Sequence, residues 1–133
     1  ADVNGSAGIA CTKIQKPRLL RYSATGTAAT ATVPIYECRG ATATVQNMRC
    51  GSIAAAIGDS TVTVDLKKNG STILSGVVTL DSANTARVSE AAAFASTSLV
   101  VGDWREWVVT ATIGTGTLPT GLFIQCEIFE DQP

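Results

Sequence analysis

The chain has 133 residues, of which 16% are charged and none is histidine, and its net charge at pH 7 is −1. This length is enough for one domain with a substantial core, and the near-neutral charge gives no electrostatic reason to bind nucleic acid or an acidic membrane. Without histidine, the commonest general base and metal ligand is absent, so the usual serine and cysteine hydrolases are excluded. No apolar run approaches the roughly 20 residues of a membrane-spanning helix.

Residues 1–28 differ in pattern from the rest of the chain, because they show little alternation of apolar and polar residues. Their basic side chains are Lys13, Lys16, Arg18 and Arg21. We predict an extended N-terminal arm over residues 1–28 and a single domain over residues 29–133. A disordered terminus or an irregular first strand stays open as the alternative for the arm.

Two alternating runs follow the predicted arm. Residues 31–36 alternate with period two, which is the pattern of a half-buried strand. Pro34 lies within this run and has no N–H group to donate, so we predict an edge strand. Residues 41–48 alternate in the same way, and the alanine-rich residues 51–58 are predicted to be a connection.

Residues 61–80 carry the clearest local signal in the chain. Every second residue from Val62 to Leu66 is apolar, the pattern breaks at Asn69-Gly70, and an apolar pattern then resumes. Because Asn-Gly tolerates the positive φ angles of tight turns, we predict a β-hairpin with this dipeptide at its tip.

The stretch after the hairpin is less regular. Residues 85–88 fit a short strand, and residues 98–101 fit another, which Gly102-Asp103 ends. Residues 89–95 fit either one capped helical turn or a loop that crosses between two sheets.

The last two strands alternate most strongly. We predict one from Arg105 to Ile113 and the other from Leu122 to Glu130. The residues assigned to their core faces are Trp107, Val109, Ala111, Ile113, Leu122, Ile124, Cys126 and Ile128. About eight short strands between turn signals indicate an all-β, single-domain β-sandwich of the jelly-roll type.

The four cysteines stand at Cys11, Cys38, Cys50 and Cys126, with no C-x-x-C spacing. A zinc site would need all four to converge in space, and two disulfides would need an oxidising environment. The interpretation that we favour is four thiols that act as small buried hydrophobic side chains, with Cys126 as the clearest case.

Candidate catalytic groups are few. Asp103 and Glu106 are close in sequence, but one is predicted in a turn and the other on a solvent-facing strand position, which does not favour a glycosidase-like pair. Glu127, Glu130 and Asp131 favour a solvated acidic edge over a calcium site. We therefore predict no catalytic residue, no metal, no cofactor and no small-molecule substrate.

Two features favour a partner surface. Phe123 and Phe129 project away from the predicted core, and we expect Val108 on the corresponding face of the preceding strand, so we predict a subunit interface there. Packing of this face under the N-terminal arm or the other sheet is the alternative. Trp104, at a strand start, is predicted to be a packing lid or an interface anchor.

Several landmarks together resemble small phage virion proteins. They are the Asn69-Gly70 turn, the sequence SLVVGDW at residues 98–104, the alternating strand and Gly-Thr-rich loop that follow, and the final apolar strand. The Gly-Asp turn within SLVVGDW is similar to that of trimeric jelly rolls such as C1q-like and tumour-necrosis-factor-like domains. Phage capsid decoration (cement) proteins use similar folds. The resemblance covers about residues 60–130.

The resemblance implies a non-catalytic structural protein, located on the outer surface of a virion and bound as a homotrimer to a major capsid protein. It also implies that a terminal arm reaches across neighbouring capsid subunits. The arm residues to which we assign capsid contact are Ile9, Ile14, Leu19, Leu20, Arg18 and Arg21.

Two other functions stay open. A receptor- or carbohydrate-binding head of a phage fibre would need a surface aromatic side chain over a polar pocket, for which Trp104 or Tyr36 is the candidate. A pilus or surface-layer subunit is the other, because strands rich in alanine and threonine are common there.

Overall fold

The computed structural model describes residues 15–131, with the backbone alone for Gln15. This range contains ten strands, and no helix in it is long and apolar enough to span a membrane. The strands are β1 (Gln15–Ser23), β2 (Ala31–Glu37), β3 (Thr42–Ala54), β4 (Thr61–Lys68), β5 (Ser71–Thr72), β6 (Val78–Leu80), β7 (Glu90–Ala91), β8 (Ser98–Val100), β9 (Trp104–Thr112) and β10 (Thr120–Asp131).

The strands form two antiparallel sheets. The first has the order β1-β10-β3, with the short strands β7 and β8 on the free side of β3. The second has the order β2-β9-β4, with β5 and β6 on the free side of β4. If β5 and β6 are counted as one strand, and β7 and β8 as another, the chain has eight strand positions. The two sheets then have the strand orders 1-8-3-6 and 2-7-4-5, which are those of a jelly roll. The jelly-roll prediction is confirmed.

The core lies between the two sheets, and the period-two patterns identify most of it. Trp107 and Val109 of β9 are fully buried, as are the alternate residues of β4. On β10 the buried apolar residues are Leu122, Ile124, Cys126 and Ile128. Ile113 is 56% exposed, so its assignment to the core is wrong, because β9 ends at Thr112 and the chain turns there.

β3 departs from simple alternation at Gln46. The pairing of β10 with β3 shifts between Glu127 and Ile128, so Gln46 has no counterpart and forms a β-bulge. The extra residue lets Val45 and Met48 both point into the core, although simple alternation places them on opposite faces. β3 also continues to Ala54, so the first half of the predicted connection is strand.

The N-terminal segment joins the sandwich as an edge strand. Of residues 1–28, Gln15–Ser23 form β1, which pairs with β10 along its whole length. Residues 1–14, with Ile9 and Ile14, lie outside the described residues. β2 pairs with β9 alone among the described strands, which confirms the edge position predicted from Pro34.

Residues 85–95 form turns and a loop that crosses between the two sheets. Arg87 has a φ of 65° and residues 85–88 form no strand, so that prediction is wrong. Glu90–Ala91 pair with β3, while Phe94 bridges to Leu74 beyond β5. The segment is therefore the loop that crosses from one sheet to the other, not a helical turn.

Gly116 makes a close backbone approach. A Cβ atom at this position would lie 2.0 Å from the carbonyl oxygen of Ile57. We expect Gly116→Ala to lower the free energy of unfolding by about 1–3 kcal/mol, because the loops must separate to admit the methyl group. Urea denaturation measures this. The matched control is Gly76→Ala, where a Cβ would meet nothing within 4 Å; equal midpoints for the two variants would contradict the close approach.

Candidate functional site

The candidate site is the end of the sandwich at which β9 begins, called here the Trp104 end. The register places the hairpin tip there, because Lys68 pairs with Arg105. The end of β2 is also there, because Glu37 pairs with Trp104. The end of β10 arrives through the pairing of Glu130 with the start of β3.

The predicted hairpin tip holds the backbone of Trp104. Asn69 and Gly70 have φ angles of 50° and 87°, as a two-residue turn requires. The Asn69 N–H donates to the Trp104 carbonyl oxygen at 3.0 Å, and the Trp104 N–H donates to Asn69 Oδ1 at 2.9 Å. Asn69 Nδ2 donates to Asp103 Oδ1 at 2.9 Å. The position of Trp104 is therefore fixed through main-chain bonds that do not involve its ring.

Asp103 closes the turn before β9. Its Oδ2 accepts the Val100 N–H at 2.9 Å, and Lys68 Nζ lies 4.0 Å from the same oxygen. The bonds from Val100 and then Asn69 hold the pKa of Asp103 below its ordinary value. The carboxylate is thus charged at neutral pH and accepts hydrogen bonds through both oxygens, which suits a structural turn and not a general acid.

Three large apolar side chains are exposed at this end. Trp104 is 52% exposed, Val100 is 56% exposed and Val101 is 63% exposed. A cleft of about 220 Å³ opens beside the Trp104 ring. Its lining residues are Pro34, Asn69, Gly70, Trp104, Arg105 and Glu106. Apolar side chains that are exposed on a rigid frame mark a contact surface.

Glu130 forms a buried polar network at the same end. It is 4% exposed, so its assignment to a solvated acidic edge is wrong, because its position along β10 turns it inward. Oε1 accepts Arg18 Nε at 3.1 Å and Nη2 at 3.0 Å. Oε2 accepts the Tyr36 hydroxyl and, at 3.4 Å, the Arg39 N–H. One carboxylate therefore connects β1, β10 and β2, which belong to both sheets.

The network fixes protonation states. Burial raises the pKa of the Glu130 carboxyl, but the hydrogen bonds from Tyr36 and Arg18 outweigh burial and hold the pKa below its ordinary value. Burial, and next the bond to Glu130, raise the pKa of Tyr36. At neutral pH Glu130 is therefore a carboxylate and Tyr36 a neutral phenol.

Arg105 is a second buried charge, which the sequence analysis missed. It is 1% exposed, and none of its three guanidinium nitrogens has a hydrogen-bond partner among the described residues. Burial lowers the pKa of Arg105 to about 10, so the group is still charged at pH 7. A buried charge without a partner is destabilising.

The predicted interface residues lie on two different sides of the sandwich. Phe123 and Phe129 are partly buried on the outer face of the first sheet, where Gly51 leaves room for the Phe123 ring. Val108 lies on the outer face of the second sheet, which it shares with Trp104. The expectation that Val108 neighbours the two phenylalanines is wrong, because β9 and β10 belong to different sheets.

The four assigned capsid contacts within the described residues lie on β1. Arg18 is bound to Glu130, and Leu20 packs against the core, so these two face inward. Leu19 is 52% exposed on the outer face, and Arg21 is exposed on the same face. Alternation along β1 thus makes Arg18 and Leu20 structural residues and leaves Leu19 and Arg21 on the surface.

Cys38, Cys50 and Cys126 are buried free thiols, as predicted, while Cys11 lies outside the described residues. Burial raises the pKa of Cys50 and of Cys126 to about 12. These two thiols are neutral at pH 7 and therefore poor nucleophiles. Between residues 15 and 131, no group of three or more His, Cys, Asp and Glu side chains could hold a metal ion.

Comparison with known proteins gives no family. No family model and no curated protein matches the chain. The structure of Desmodium yellow mottle tymovirus aligns with a TM-score of 0.32 and 16% identity, over 89% of this chain and 83% of that chain. The structure of infectious bursal disease virus Gt strain aligns with a TM-score of 0.34 and 10% identity, over 92% of this chain and 39% of that one. Such low similarity carries no argument about function, and the fold assignment rests on strand order.

The Glu130 network predicts acid sensitivity. A carboxyl whose pKa is lowered by folding stabilises the protein above its unfolded-state pKa of about 4.3, and this contribution is lost as the pH falls through the folded-state value. We expect the free energy of unfolding to drop in that range, and Glu130→Gln to make the drop shallower. Urea denaturation between pH 6 and pH 3 measures this loss of stability. The pKa values of Asp59 and Asp103 are also lowered, so these two carboxyl groups account for the pH dependence that Glu130→Gln retains. Glu127→Gln, on the outer face of the same strand, is the control; an equal slope for both variants would contradict the role of Glu130.

The unpaired guanidinium predicts an unusual stabilising substitution. We expect Arg105→Met to raise the free energy of unfolding by about 1–4 kcal/mol, because an apolar side chain of similar length removes a buried charge. Arg18→Met should instead lower it by about 1–3 kcal/mol, because Glu130 loses its charged partner. Urea midpoints at pH 7 compare the two. A loss of stability in Arg105→Met would show that the guanidinium has a partner.

Proposed function

We propose that this protein is a structural virion protein of the decoration type, which binds the outer surface of a phage capsid, stabilises it and catalyses no reaction. The observation that supports this proposal most is the apolar strip along β1 and β10. It consists of Leu19, Phe123 and Phe129 on the outer face of the first sheet, with Gln125 and Glu127 between the two phenylalanines. A building block that works by surface contact needs such a strip, whereas a catalyst does not.

The strip is suited to subunit contact. Leu19 is diagonal to Phe129 across the β1–β10 ladder, at a spacing at which side chains touch. Phe123 borders a groove of about 300 Å³ between the same two strands. Large apolar side chains around a groove are what the buried centre of an interface requires. We therefore propose that this face forms the contacts of a homotrimer.

The edge of the first sheet favours side-chain contact with the capsid over main-chain pairing. Pro17 lies within β1, and a proline there lacks the N–H group that a neighbouring strand would need. Lys16 and Arg21 give the edge basic charge besides Arg18, which is bound to Glu130, so an acidic surface of the major capsid protein is the complementary partner. β1 begins at the Trp104 end, and we propose that the residues before it reach across neighbouring capsid subunits. Three copies would add avidity to weak single contacts.

The oligomer mass tests the proposal first. We expect light scattering during size-exclusion chromatography to give about three times the 13.7 kDa of one chain. Leu19→Asp should convert the trimer to monomer, because it places a charge in the apolar strip. Ile57→Asp is the matched control, since Ile57 is 64% exposed at the opposite end of the sandwich.

Cosedimentation tests the capsid contact in the same series. Purified capsids from the virus that encodes the chain should carry the protein into the pellet and should melt at a higher temperature with it. Arg21→Glu should weaken this binding, whereas Lys67→Glu, on the outer face of the second sheet, should not. A stable monomer that stays in the supernatant would overturn the proposal.

A further inference from the structure

We infer that the cleft beside Trp104 binds one ring of a neutral saccharide, a function beyond the proposed structural role. The observations that carry the inference are the exposed Trp104 ring, the polar residues that line the same cleft and the balance of charge beside it. Each is independent of the strip on the first sheet.

The Trp104 ring offers an apolar face to a ligand. It is 52% exposed, although hydrogen bonds from Asn69 hold its main chain. The C–H groups on one face of a pyranose ring are weakly positive and pack on the negative face of an indole. Pro34, which pairs with Glu106 across the β2–β9 ladder, adds a second apolar wall.

Polar groups line the same cleft as the Trp104 ring. Glu106 borders the cleft on one side, and its carboxylate can accept two hydroxyl hydrogens. The Asn69-Gly70 tip borders it on another side with amide and main-chain groups. Apolar area and acceptors within one cleft fit a ligand that has an apolar face and a hydroxylated edge.

The charges of the cleft exclude strongly charged ligands. Lys67 lies opposite Glu106 in the β4–β9 register, so two opposite charges stand side by side next to the cleft, whereas the Arg105 side chain is turned into the core. A cationic ligand would meet the charge of Lys67, and an anionic ligand would meet the Glu106 carboxylate. The volume of about 220 Å³ is below the 300–1,000 Å³ of most drug-sized pockets and suits a single ring.

The fluorescence of Trp104 gives a direct readout of binding. The chain has two tryptophans, and Trp107 is fully buried, so ligand-induced changes in emission report Trp104. The full chain is first applied to an array of neutral and charged oligosaccharides, which includes bacterial polysaccharide fragments. The bound saccharide is then titrated in solution. We expect a neutral saccharide to bind and to shift the emission to shorter wavelength.

Variants of the cleft separate ring stacking from a structural effect. Trp104→Ala should weaken binding at least tenfold and Trp104→Phe less, while the fold persists because the bonds with Asn69 use only main-chain atoms of Trp104. Glu106→Gln should weaken it severalfold. Val101→Ala is the matched control, since Val101 is 63% exposed at the same end but does not line the cleft.

Three results would overturn the inference. They are no binding to any saccharide on the array, binding to charged saccharides alone, and binding that Trp104→Ala leaves intact. If the unsubstituted protein binds no saccharide and Trp104→Ala abolishes cosedimentation with capsids, the cleft binds a protein partner instead. Oligomer mass is measured separately, so failure here leaves the proposed virion role standing.

Discussion

The buried carboxylate of Glu130 is the contact on which the Trp104 end depends. Arg18 of β1 and Tyr36 of β2 meet on it, although β1 and β2 lie in different sheets. β1 is an edge strand with β10 as its one strand partner in the described range, so its first residues have few other anchors. Tyr36 precedes Glu37, which pairs with Trp104, so the network also positions the strand beside the cleft.

The same end holds two buried charges with opposite energetic consequences. Glu130 has an ionic partner and hydrogen bonds at both oxygens, which outweigh the burial penalty on its pKa. Arg105 has no acceptor within residues 15–131, and its burial costs stability. Local rules are most often violated at functional sites. Arg105 directly follows Trp104, so its side chain is turned into the core and the uncompensated charge lies beneath the surface to which we assign binding.

Periodicity predicted the fold well, and its failures have physical causes. The alternation that buries Trp107 also buries Arg105, and the alternation that buries Ile128 also buries Glu130. The alternation along β9 and β10 therefore indicates burial of both charged residues, whereas their residue types indicate exposure. The bulge at Gln46 carries no such signal, because it arises from pairing with a strand some 80 residues away. Sheet membership is also long-range, so the separation of Val108 from Phe123 required the topology.

The separation of the two sheets makes the two proposed surfaces compatible. The strip of Leu19, Phe123 and Phe129 lies outside the first sheet, whereas Trp104 and Glu106 lie outside the second. A trimer that buries the strip therefore leaves the cleft open in each copy. Three clefts held in one assembly would bind a repeating polysaccharide with avidity even if each cleft binds one ring weakly. A large array of copies on a capsid would extend the same effect, so weak affinity at one cleft does not conflict with saccharide binding by the assembly.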